Sequence, residues 1–238
     1  MEKQSMEATS LNLLFDSHQE LSGTLNSLGG KTGRDAAEDY KFWSSSYMDH
    51  ASQGYIYLRK ASGMAESRFL IRPAIEMMIR LEAIRQKPEL IYQIGYTETQ
   101  VDDRIWLRAL SKRTGEQFDE VQYDKRWEKF KNECRAQFPS AKLIDAKLTV
   151  KDVAVAAGLG DFYDSIYRTY CRYTHAALRA IVGDLNDTVG PEDNLIMAGC
   201  VLCAVESLIS IGGAAPNLDS LRGRREALVK EKITDQSS

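Results

Sequence analysis

The chain is 238 residues long, with 43% hydrophobic and 27% charged residues and a formal net charge of −3. A chain of that length buries about 70–75% of its unfolded surface and needs no disulfide or metal staple. The slightly acidic balance excludes a global attraction to nucleic acid or anionic lipid.

Leu11, Leu14, Phe15, His18, Leu21, Leu25 and Leu28 keep helical spacing, which predicts a first helix over 8–28 with His18 at a core or seam position. Gly29, Gly30, Lys31, Thr32 and Gly33 look like a phosphate loop. Leu25, however, stands where that pattern requires glycine, and a helix rather than a strand comes before it. The glycines therefore read as a helix stop. A second helix is predicted over 35–61, with Tyr40, Phe42, Trp43, Tyr47, Tyr55 and Tyr57 as packing aromatics. They are no base-stacking platform, because basic residues are not interleaved with them.

A third helix is predicted over 64–86, apolar almost all round from Phe69 to Ala83 and bent at Pro73. Two more follow over 88–112 and 116–137, broken at Gly115. Thr149 then caps a short helix that carries Asp152 and ends at Gly158. The stretch 161–182 repeats Tyr163, Ile166, Tyr167, Tyr170, Thr174, Ala177, Leu178 and Ile181 along one helical face. Pro191, Glu192 and Asp193 open an apolar helix running to Gly212. It is too short for a membrane span and holds Glu206, so it reads as a core helix. A polar helix follows Pro216, with Arg222, Arg224 and Arg225 placed to touch an acidic partner. The expected fold is all-α: a single-domain multi-helix bundle over 1–238, with a central buried helix near 68–84 and a polar C-terminal helix and tail over 214–238.

Two segments carry chemistry. Arg72 and Glu76 sit one turn apart inside the apolar third helix, with Arg68 and Arg80 a turn to either side. A buried charge survives only when paired and hydrogen-bonded, so the two should meet each other and a polar group from another helix. On the flank of the 161–182 face sit Asp164, Arg168, Cys171 and His175. Asp164 and Arg168 are one turn apart, as are Cys171 and His175. A histidine with a cation and a carboxylate beside it can have a tuned pKa, and a hydrogen-bonded structural histidine at a helix seam is the competing reading. Cys200 and Cys203 form a C-x-x-C pair without a second ligand pair, weak grounds for zinc or redox chemistry.

An Arg-x-x-x-Glu helix (Arg72, Glu76), a short helix ending in Ala157-Gly158-Leu159 and a Tyr-x-x-x-Ser/Cys-x-x-x-His helix (Tyr167, Cys171, His175) together resemble a widespread bacterial family of unknown function. Cys171 stands where that pattern usually has serine. The resemblance implies an all-helical fold, no known activity and the convergence of Arg72, Glu76, Tyr167 and His175. Arg168 and His175, seven apart on one helix, are also similar to the Arg-x(4–6)-His motif of HEPN domains, although Thr169 stands where those have a polar Asn, Asp or His. That resemblance implies a metal-independent RNase of stress or phage defence, with two motifs brought together in a homodimer and RNA as partner.

Two functions follow as expectations. In one, His175 is the acid or base and Arg168 the phosphate clamp of an endoribonuclease. In the other, Arg72, Glu76, Tyr167 and His175 form a structural polar network in a non-catalytic module that binds a protein partner or a ligand. A metal site of Glu76, His175 and Asp164 lacks any supporting ligand spacing, so neither metal nor cofactor is expected. The scattered cysteines and the absence of a basic-then-apolar N-terminus point to a cytoplasmic protein with no membrane segment.

Overall fold

Good helix formers fill the N-terminal residues, and helix α1 extends back to the start of the chain as Glu2–Leu28, six residues before the predicted onset. The structure is a computed structural model that describes residues 2–30, 33–61, 64–115, 117–174 and 190–235. Leu13, Leu14, Leu21 and Leu28 of α1 are fully buried, each such side chain stabilising the fold by about 1.5–3 kcal/mol. Helix α2 (Ala36–Lys60) starts on a capping box: the Glu38 N–H donates to Asp35 at 2.9 Å, and the Asp35 N–H donates back to Glu38 at 3.2 Å. Tyr55 of α2 is buried and Tyr40 and Phe42 pack on the core, but Trp43, Tyr47 and Tyr57 face solvent. The aromatics of α2 were all expected to pack. Six of them spread round the helix, and its other faces have too few neighbours to cover them.

The predicted helix over 64–86 is divided into α3 (Met64–Ser67), a 3₁₀ turn (Arg68–Leu70) and α4 (Ile71–Gln86). The division moves Pro73 into the first turn of α4, where its missing N–H costs nothing. Ile71, Ala74, Ile75, Ile79, Leu81, Ala83 and Ile84 of α4 are buried. Helix α5 (Leu90–Gly95), a π-helical segment (Tyr96–Asp103) and α6 (Arg104–Thr114) then run on continuously until Gly115 turns left-handed at φ 76°. Helix α7 (Glu120–Gln137) packs Trp127 against the rings of Tyr92, Tyr96 and Phe130. The Thr149–Asp152 capping box opens α8 (Val150–Ala156) as predicted.

The tyrosine-rich stretch runs as α9 (Gly160–Phe162), a π turn (Tyr163–Tyr167) and α10 (Arg168–Thr174). The remainder of the predicted helix over 161–182 lies outside the described residues. Helix α11 (Pro191–Ile209) shares the centre of the bundle with α4, packing on α1, α2, α4 and α12 (Leu218–Asp235). Small buried side chains let α1, α2 and α11 approach closely. Ser17 and Ser45 donate to carbonyls, Leu13 O at 2.8 Å and Ala204 O at 3.3 Å, and so need no water. The described residues contain helices and no strand, and none of those helices is long and apolar enough to cross a membrane. The basic cluster of α12 is engaged inside the chain: Arg222 with Glu206 at 2.9 Å, Arg224 with Asp16 at 2.7 Å and Arg225 with the Leu195 carbonyl at 2.9 Å.

Helix α11 ends in a Schellman arrangement. The Gly213 N–H donates to Leu208 O and the Gly212 N–H to Ile209 O, both at 2.9 Å, with Gly212 at φ 89°. A β-carbon at Gly213 would stand 2.7 Å from the Thr24 methyl and 2.9 Å from Leu208 O. The second of these is backbone and cannot swing away. Gly213→Ala should therefore cost about 1–3 kcal/mol in a chemical-denaturation series, and an unchanged midpoint would contradict this packing.

Candidate functional site

Helix α4 and the 3₁₀ turn before it present Arg68, Arg72, Glu76 and Arg80 at one-turn intervals, and α10 with its π turn lies across them. Arg72 Nε–H points at two acceptors, Glu76 Oε1 at 3.0 Å and Tyr167 OH at 3.4 Å, while the Tyr167 hydroxyl donates to Glu76 Oε1 at 2.5 Å. The expected meeting of Arg72 and Glu76 with a polar group from another helix is thus made by Tyr167. The Arg72 and Glu76 side chains are 21% and 24% exposed, so the triad lies at the edge of the bundle rather than sealed within it. Burial, and then the hydrogen bond to the Glu76 carboxylate, push the Tyr167 phenol above its ordinary range, so it stays a proton donor at neutral pH. Tyr163 stacks on Tyr167 with centroids 4.8 Å apart. The half-buried Cys171 thiol lies near enough to Arg72 and Tyr167 to influence both electrostatically.

The other predicted residues fall elsewhere. Arg168 is 68% exposed and touches Asp164 at 3.5 Å. Asp164 is also 3.6 Å from Lys151, so it belongs to an exposed charge pair and not to the Arg72 triad. His175 lies outside the described residues. Arg72, Glu76, Tyr167 and Cys171 are therefore brought together, and Arg168 and Asp164 form a separate solvent-facing pair.

A second network adjoins the first, and sequence reasoning did not assemble it. Arg68 Nε–H donates to Asp193 Oδ2 at 3.2 Å, and the Tyr170 hydroxyl donates to Asp193 Oδ1 in a short hydrogen bond. The same carboxylate accepts the Gly190 N–H at 3.1 Å, so one residue caps α11 and neutralises the arginine of the 3₁₀ turn that leads into α4. Asn194 extends the network. It accepts from Tyr55 OH at 3.0 Å and donates to Ser10 Oγ at 3.0 Å, joining α1, α2 and α11. Burial, and then the Asp193 carboxylate, raise the Tyr170 phenol. The faint signal was the one-turn spacing of Arg68 from Arg72. Asp193 gave none, since an acidic residue in a first turn is explained by the helix dipole alone.

Arg80, at the far end of the row, pairs with Glu98 of the π-helical segment, and Tyr40 OH donates to the same carboxylate at 3.4 Å. Burial, and then the Glu98 charge, push Tyr40 up to about 12. His18 Nδ1 stands 3.0 Å from Ser52 Oγ and 3.2 Å from Asp49 at the α1–α2 seam. Burial pushes the Cys200 thiol up to about 12, which leaves it protonated and unreactive. No group of three His, Cys, Asp or Glu among the described residues could hold a metal ion.

Fold and site together define an all-helical protein in which a tyrosine-bearing helix is clamped to a row of arginines by two adjoining polar networks. The chain belongs to a family of unknown function, DUF5677, whose model matches residues 48–193, more than half of its length. No curated protein and no solved structure matches it. The matched segment holds Arg72, Glu76, Tyr167, Cys171 and His175, and its last residue is Asp193.

Proposed function

We propose that the protein is a helical binding module whose two polar networks fix the register of the tyrosine helix on α4, so that the surface around that helix is presented in one arrangement. The supporting observation is the pairing: Arg68, Arg72, Glu76 and Asp193 each have a counter-charge within the chain and a tyrosine hydroxyl as third member. A network satisfied in this way specifies one packing among several of similar hydrophobic area. Amide hydrogen exchange tests this. Tyr167→Phe should raise exchange in 160–174 by tenfold or more while α1 stays protected, and equal protection in both proteins would refute the reading.

A specific observation favours a second reading, a HEPN-like, metal-independent RNase acting as a homodimer. Arg168 faces solvent, and its 3.5 Å contact with Asp164 is one that a phosphate could displace. In this reading Arg168 holds the scissile phosphate and His175 exchanges the 2′-hydroxyl proton. Folded His175→Ala and Arg168→Ala variants should then lose about 10²–10⁴-fold in cleavage of single-stranded RNA in the presence of chelator. Equal cleavage by wild type and His175→Ala would remove the nuclease proposal.

A further inference from the structure

We propose that the cavity between the start of α2, the π-helical segment and α7 is a binding site for a small organic cation carrying an alkylammonium head on an aromatic or aliphatic body. The cavity measures about 470 Å³, within the range of small-ligand sites. Its walls are the rings of Tyr40, Trp43, Tyr123, Trp127 and Phe130. Ring faces attract a cation through their quadrupoles, most strongly for tryptophan.

Charge agrees with shape. Asp39, Glu98 and Asp103 line the cavity, against one cation, Arg126. Glu98 is already engaged by Arg80 behind the wall. Asp39 and Asp103 are exposed at the rim, and neither has a salt bridge among the described residues. An entering ammonium would therefore meet two uncommitted carboxylates before it reached the rings. Burial raises the Glu98 pKa despite Arg80.

Two features of the chain read as serving this cavity rather than the core. Trp43 is 66% exposed and meets Phe42 edge-on with centroids 5.4 Å apart, which leaves ring surface free at the cavity wall. The Tyr96–Asp103 segment is π-helical, a widened turn frequent at functional sites, and it brings Glu98 and Thr99 to the wall together. Gly95, just before it, lets the Phe130 ring approach, since a β-carbon there would stand 2.8 Å from the ring.

Benzyltrimethylammonium is a suitable probe, titrated by calorimetry into the whole protein beside benzyl alcohol as the neutral control and benzenesulfonate as the anionic control. Saturable binding of roughly millimolar affinity or better is expected for the cation alone. Trp43→Ala and the pair Asp39→Asn/Asp103→Asn, all at exposed positions and verified as folded by their melts, should each weaken it by tenfold or more. Absence of binding, equal binding of either control, or wild-type affinity in either variant would overturn the assignment. The Arg72 triad and Arg168 lie outside this cavity, so failure here leaves the binding-module and nuclease readings untouched, and their failure leaves this one standing.

Discussion

Asp193→Ala should lower the melting temperature by roughly 6–20 °C. The Arg68 and Asp193 side chains are only 10% and 6% exposed, so solvent does little to screen the loss. Removing one partner of a pair buried to that degree costs about 3–5 kcal/mol, and a chain of this size loses about 2–4 °C for each kcal/mol. The carboxylate also accepts from Tyr170 and from the Gly190 N–H, so its removal touches the 3₁₀ turn before α4, α10 and the start of α11 together. Asp193→Asn retains an acceptor oxygen and should fall between the two. Differential scanning calorimetry gives the answer, with Glu120→Ala as the control. Glu120 pairs with Arg108 at 2.8 Å where both are about half exposed, and its loss should leave the melt where it is. A drop of under about 2 °C for Asp193→Ala would mean that the network does not hold the bundle together.

The next largest effect is expected at the neighbouring triad, and there the pattern matters more than the size. Arg72→Ala and Glu76→Ala should each cost about 2–3 kcal/mol, less than a sealed pair because a fifth to a quarter of each side chain reaches solvent. The double variant should cost less than the sum of the two singles, with a coupling of about 1–2 kcal/mol, because the second substitution removes a group the first had already deprived of its partner. Tyr167→Phe should behave as a member of the same unit, since its hydroxyl meets both charges. Urea unfolding of the single and double variants measures the cycle. Additive costs would show that Arg72 and Glu76 act separately, and would count against the networks as register-fixing devices.

Local rules made much of this fold legible. The Thr149–Asp152 cap, the stop at Gly158 and the opening of α11 at Pro191 each depend on residues within four positions of one another, and each occurs where the spacing predicts it. The Arg72–Glu76 pair is of the same kind, a one-turn contact on an apolar helix. Arg68 and Asp193 are 125 residues apart, and no periodicity links an arginine in one segment to a first-turn aspartate in another. Arg80–Glu98–Tyr40, with separations of 18 and 58 residues, is hidden for a related reason, since it depends on a π-helical segment that ordinary hydrophobic spacing does not announce. Spacing also put Arg168 beside the buried stripe, whereas its side chain is 68% exposed and pairs only with Asp164 of its own helical run at 3.5 Å among the described residues.

The contact of α1 with α11 has a consequence for the living cell. Ser10 meets Asn194 across 184 positions and Thr24 meets Ala214 O across 190. At ribosomal speeds of about 5–20 residues per second, the first helix waits some 10–40 s for its mate to emerge. Through that interval the part of its leucine ridge that α2 does not cover stays open, a natural hold-point for a chaperone, and this contact can close only once α11 has been made.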